Sequence, residues 1–308
     1  MRRIFLLIAL LAIICIQSFS QCACCAGAGI GSSGGNQENG MICIPKKTFV
    51  AETYSDYRTI RNGNAVEDDE KLLKSMFITA AGIRYGFSNR ITISALLPYV
   101  FLHTNSGNDR GLGDMILLGT VDLYSKNNLD LALQAGVELP TGTRKSSRFD
   151  NTTVVIGSGS YDPMLGISVS KQWNKISLKA NGMYKYSTPG FNDNYYGSLS
   201  THNITISYRI NGESSSCSMD SAGCRKRPAG LGISLSAGYY GEWLDNIKED
   251  KVVDENSGHY GGFITTGISL SYKKWALPLN ISIPVISHMN GDQNGLGYRV
   301  RAGLIRSF

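Results

Sequence analysis

Cysteine is the residue type in this 308-residue chain best suited to chemistry. Cys22, Cys24 and Cys25 are nearly contiguous, Cys43 follows a Gly- and Ser-rich stretch, and Cys217 and Cys224 share one polar segment. Thiolates crowded in this way can share a soft ion such as Cu(I) or Zn(II). In an oxidising compartment the same six pair instead as disulfides, Cys217 with Cys224 and the others among themselves. Adjacent cysteines bridge only under strain, so both readings stand. Lipidation of Cys22 is disfavoured, because Phe19 and Gln21 fit a lipoprotein cleavage pattern badly.

Other chemistry is sparse. His202 is followed directly by Asn203, and no Gly-x-Ser-x-Gly elbow accompanies it to supply a nucleophile. His103, His259 and His288 fall at outer strand ends, where a solvated imidazole is expected. No catalytic residue and no enzyme activity follow. The tightest basic run, Arg225-Lys226-Arg227, is too small for a nucleic-acid surface on a chain of formal charge +6.

Arg2 and Arg3, the apolar run 4–16 and Ser18-Phe19-Ser20 have the three parts of a secretory signal. That reading makes 1–20 a removed signal peptide, 21–45 a Cys/Gly-rich periplasmic extension and 46–308 the folded body. The cysteines therefore meet an oxidising space.

Period-two alternation recurs from about residue 75 onward. Leu129, Leu131, Leu133, Ala135, Val137 and Leu139 are apolar, while Asp130, Gln134 and Glu138 between them are polar. The pattern returns at 176–186, 204–210, 231–243, 264–272 and 277–285, with a further copy at 91–101. Several segments have the roughly ten residues that a tilted membrane strand needs. Tight turns at Ser88-Asn89, 126–128, Trp173-Asn174 and Lys273-Lys274 alternate with longer polar loops, of which 104–111 is one. The twenty residues around 211–230 break that rule.

These features predict an all-β fold, an antiparallel transmembrane β-barrel of about twelve strands in the bacterial outer membrane. The first strand, near 46–58, is the weakest, because Phe49, Ala51, Thr53 and Ser55 make a poor lipid face. Tyrosines and tryptophans near strand ends, Tyr239, Tyr240 and Trp243 among them, suit aromatic girdles. The terminal Phe308 resembles the signal read by the barrel-assembly machinery, and Arg306 departs from it.

Gly111-Leu112-Gly113-Asp114, Leu139-Pro140-Thr141-Gly142 and Gly157-Ser158-Gly159-Ser160-Tyr161-Asp162, in that order, resemble outer-membrane proteins of the meta-pathway phenol-degradation family over roughly 75–308. The resemblance implies a barrel for uptake of hydrophobic or aromatic compounds. With the apolar faces on lipid, Arg84, Asp122, Asp130, Glu138, Lys179, Lys185, Arg209, Glu242, Arg299 and Arg301 would line the lumen. There they would either pair to shape a narrow barrel or touch a solute. The expected function is passive, selective transport of a small solute. The alternative is copper or zinc handling by the N-terminal cysteines.

Overall fold

Alternating residues give each strand two unlike faces, and a sheet of such strands has no exposed edge only when it closes on itself. The computed structural model describes residues 44–61, 73–104, 107–143, 156–211 and 230–308. Its strands are β1 (Phe49–Arg61), β2 (Leu73–Gly86), β3 (Ile91–Thr104), β4 (Gly107–Leu112) and β5 (Met115–Lys126). β6 (Leu129–Leu139), β7 (Asp162–Trp173), β8 (Ile176–Lys185), β9 (Leu199–Asn211) and β10 (Leu231–Leu244) follow. The last are β11 (Lys248–Glu249), β12 (Val252–Val253), β13 (His259–Tyr272), β14 (Trp275–Met289) and β15 (Gly295–Ser307).

Every barrel strand is antiparallel to its neighbours, and β1 pairs with both β2 and β15, so the ring is closed. β3 meets β4 along its upper half and β5 along its lower half, which makes those two a single stave broken at Gly113-Asp114. Twelve staves result, with β11 and β12 forming a separate hairpin. The expected 104–111 loop is mostly strand, since β4 begins at Gly107 and pairs with β3 through Tyr99↔Leu112.

The two faces meet different surroundings. Ile281, Ile283 and Val285 of β14 are 50%, 59% and 56% exposed on the outside, a continuous apolar belt that water would not tolerate and lipid would. Inward positions of the same strands are shielded. On β2 and β3 the alternation fails, because the inner face also carries Met76, Ile78, Leu96, Val100 and Leu102, all buried. Tyr240, expected in a girdle, points inward and donates to Glu242 Oε2 at 2.9 Å.

At one end the staves join through tight turns with Asn127, Asn128, Asn174 and Lys273 at positive φ, which matches the right-handed twist of a hairpin. Residues 44–48 cross the same end. Lys47 N donates to Gly86 O at 2.8 Å, and buried Ile44 donates its N–H to Thr92 Oγ1 at 2.9 Å. Phe308 N closes the ring on Phe49 O at 2.9 Å. Arg306 lies outside, its guanidinium 4.9 Å from the Trp275 ring and 4.6 Å from that of Phe308. Stacking on two rings explains how a cation is held where the assembly signal usually has an apolar residue.

Two expected outcomes test this placement. Unboiled protein should migrate differently from boiled protein on a detergent gel. Ile281→Arg, on the lipid face midway along β14, should cost about 2–4 kcal/mol in vesicle unfolding, and Ser207→Arg, facing inward on β9 between Ser177 and Ser236, much less.

Candidate functional site in the barrel lumen

All ten charged residues singled out from the sequence occupy inward positions of their strands. Among them Arg84, Glu138, Lys185, Glu242, Arg299 and Arg301 are in ion pairs. Asp130 receives hydrogen bonds from Ser125 Oγ and Ser170 Oγ. Sequence parity thus selected the face. It did not reveal the partners.

Near the seam that closes the ring, Asp56 Oδ2 accepts from Arg58 Nη2 and Arg301 Nη2, each at 3.0 Å. Arg299 grips Glu242 with both terminal nitrogens while lying 4.0 Å above the Phe263 ring. His259, expected to be solvated, instead turns inward to Glu242 at 3.2 Å. His103 bonds Asn108, His202 stacks on Tyr260 on the outer face, and His288 is exposed, so the histidines gather at no common site.

Asp56, Arg58 and Glu52 stand outside those ten, because the outward residues of β1 give its sequence a weak strand signal. Its other face, Glu52-Tyr54-Asp56-Arg58 at spacing two, carried the signal.

Across the lumen, Glu138 and Asp162 are direct cross-strand partners, a repulsive arrangement for two carboxylates. Lys185 Nζ sits between them, 3.3 Å from Glu138 Oε1 and 3.5 Å from Asp162 Oδ2. All three are fully buried. The lysine is what makes the two acids compatible.

The three family-like sequence pieces meet beside this triad. Asp114, at the break between β4 and β5, accepts from Gly142 N through Oδ1 at 2.7 Å. Its Oδ2 accepts from Ser158 N at 2.5 Å and Ser158 Oγ at 2.7 Å. Met115 N donates to Thr141 Oγ1 and Thr143 N to Leu112 O, so residues just past Pro140 bridge the broken stave. Gly142 and Gly157 touch so closely that a Cβ on either would lie 2.5 Å from the other's Cα. Gly159 has φ +72° and lies against the Phe191 ring. Gly111 backs onto Thr143 and onto Ile156, which is fully buried. The motif is a structural knot that fixes one rim of the lumen.

Cys22, Cys24, Cys25, Cys43, Cys217 and Cys224, with the expected signal peptide, lie outside the described residues. Among the described residues, no three His, Cys, Asp or Glu side chains are placed to hold a metal ion.

Replacing Lys185 by Met should destabilise the barrel by about 3–5 kcal/mol in vesicle unfolding, because it strands two buried acids. Adding Glu138→Gln should recover part of that loss. Asp114→Asn should cost roughly 2 kcal/mol of local protection. Amide exchange at Gly142 and Ser158 should then accelerate about thirtyfold, with distant strands unchanged.

Among solved structures, the crystal structure of the COG4313 outer membrane channel from Pseudomonas putida F1 is similar, with TM-score 0.65 and 15% identity over 89% of this chain and 99% of that one. At that identity the likeness is one of fold. The NanC porin (TM-score 0.49, 9% identity, 83% of this chain and 98% of that one) and the CymD monoaromatic hydrocarbon channel (0.43, 8%, 86% and 89%) overlap more loosely. No curated protein matches the chain in sequence. A family model matches residues 53–216, more than half of the chain, and the chain belongs to the family described as "Putative MetA-pathway of phenol degradation".

Proposed function

We propose that the protein is an outer-membrane channel that passes a small solute passively and selectively. The observation that carries this reading is a closed twelve-stave ring with an apolar outer belt and an inner wall that is charged and polar over much of its surface. Family membership and the fold shared with a solved outer membrane channel support the same reading.

The size of the ring bears on mechanism. Eight staves enclose only side chains, and sixteen to eighteen leave a wide aqueous pore. Twelve staves partly filled by buried Ile78, Val100, Leu102 and Met183 leave a restricted path, so selection among solutes precedes diffusion through it. Export by the N-terminal signal and recognition of Phe308 by the barrel-assembly machinery complete the proposal. The turn end, with residues 44–48 and Phe308, then faces the periplasm.

Reconstitution of the full chain into liposomes tests the reading. Small aromatic and polar solutes should equilibrate across these vesicles faster than across protein-free ones, without an energy source. A heat-modifiable, folded barrel that speeds no solute would overturn it.

A further inference from the structure

The part of the lumen left open to solvent is polar. Inward side chains of β2 and β3 are packed shut, with Ile78 and Val100 at 0% exposure and Leu102 at 1%. Midway along β8 to β15 the inward side chains of Thr205, Ser207, Ser236, Thr265, Asn280 and Ser282 are half-buried. Following the ladder from Arg301 leads to Asn280, then past Gly267 to Ser236 and Ser207. The next row up runs from Ser282 to Thr265, whose hydroxyls are 2.8 Å apart, and past Gly238 to Thr205 and Lys179. Hydroxyls and amides therefore form a half-ring, with a cation at either end.

Three arginines converge at the seam. Arg58 and Arg299 are direct cross-strand partners, a like-charge pairing that is unfavourable by itself, and Arg301 stands beside them. Arg58 and Arg301 both reach Asp56, and Arg299 reaches Glu242. Asp56 is fully buried, whereas the Arg301 side chain is 20% exposed and faces the open half of the lumen. A solute in that space meets a guanidinium first, with hydrogen-bonding side chains along its flank.

We infer that this half-ring is a binding site for small organic acids, which takes a carboxylate at Arg301 and Arg58 and the solute's hydroxyl groups along Ser236, Thr265 and Asn280. A planar guanidinium suits a carboxylate better than a halide, because two parallel N–H groups match its two oxygens. The inference rests on the channel reading and names the class of solute. Among aromatic compounds it favours the hydroxylated carboxylate over the neutral or cationic ring of the same size.

The test is current through the full chain in planar bilayers under a gradient of potassium 4-hydroxybenzoate, with potassium chloride as comparison. The reversal potential should have the sign of anion flow, with a higher permeability ratio to potassium for 4-hydroxybenzoate than for chloride. Arg301→Gln should lower that ratio about tenfold, the value of one charge-assisted hydrogen bond, and Arg301→Lys should restore most of the anion preference but little of the gain over chloride. Ser236→Val should slow 4-hydroxybenzoate more than chloride. A cation-selective current, or ratios unchanged in Arg301→Gln shown by heat-modifiability to be folded, keeps the channel and overturns the acid specificity. A folded wild type carrying no current removes the channel reading as well.

Discussion

In hydrocarbon an unpaired backbone N–H or C=O costs several kcal/mol, and no water is present to relieve it. A sheet surrounded by lipid must therefore have no free edge, and the pairing of β1 with β15 is the contact on which the rest of this structure depends. It joins residues nearly the whole chain apart, Val50 with Ser307 and Arg61 with Gly295. Once the ring closes, every strand acquires an inside and an outside, and period two in the sequence becomes a choice between two solvents. Even where β4 and β5 break the ladder, side chains and backbone from 141–143 supply the missing partners.

Closure also explains why the charged residues are paired. A narrow ring brings inward side chains from different staves within reach of one another, and a charge pressed there is costly unless it is matched. The matches cross the seam, as in Arg301 with Asp56, or span adjacent hairpins, as in Lys185 with Glu138. The two clusters sit on different walls and share no residue. Each fixes its own group of staves, and the apolar wall of β2 and β3 fills the interval between them.

What could be read in the sequence follows from which interactions are local. Strand identity, facing and the even stave count depend on residues two apart and on turn chemistry, and these were legible, down to the inward parity of Arg299 and Arg301. The apolar inner face of β2 and β3 was not. Val100 and Leu102 look alike whether they meet lipid or another side chain, and only neighbours distant in the chain decide between the two. Asp114 shows the same limit. It appeared as part of a Gly-rich strand start, while its role depends on Gly142 and Ser158, 28 and 44 residues away. β1 shows a different limit, because a strand with a poor lipid face can still carry lumenal charge, here Glu52, Asp56 and Arg58.

Unequal walls have a consequence for selectivity. If the lumen were lined evenly, its balanced charges would leave no direction in the field across it. Here Arg58, Arg299 and Arg301 lie on β1 and β15, and the acids Glu138 and Asp162 lie on β6 and β7. A molecule in the open half is thus oriented before it moves, its negative end toward the seam and its hydrogen-bonding groups toward β10, β13 and β14. The residues that hold the barrel closed and those that grade its solutes are in part the same. Arg301 anchors Asp56 and also faces the open space, so the device that stabilises the ring also orients what enters it.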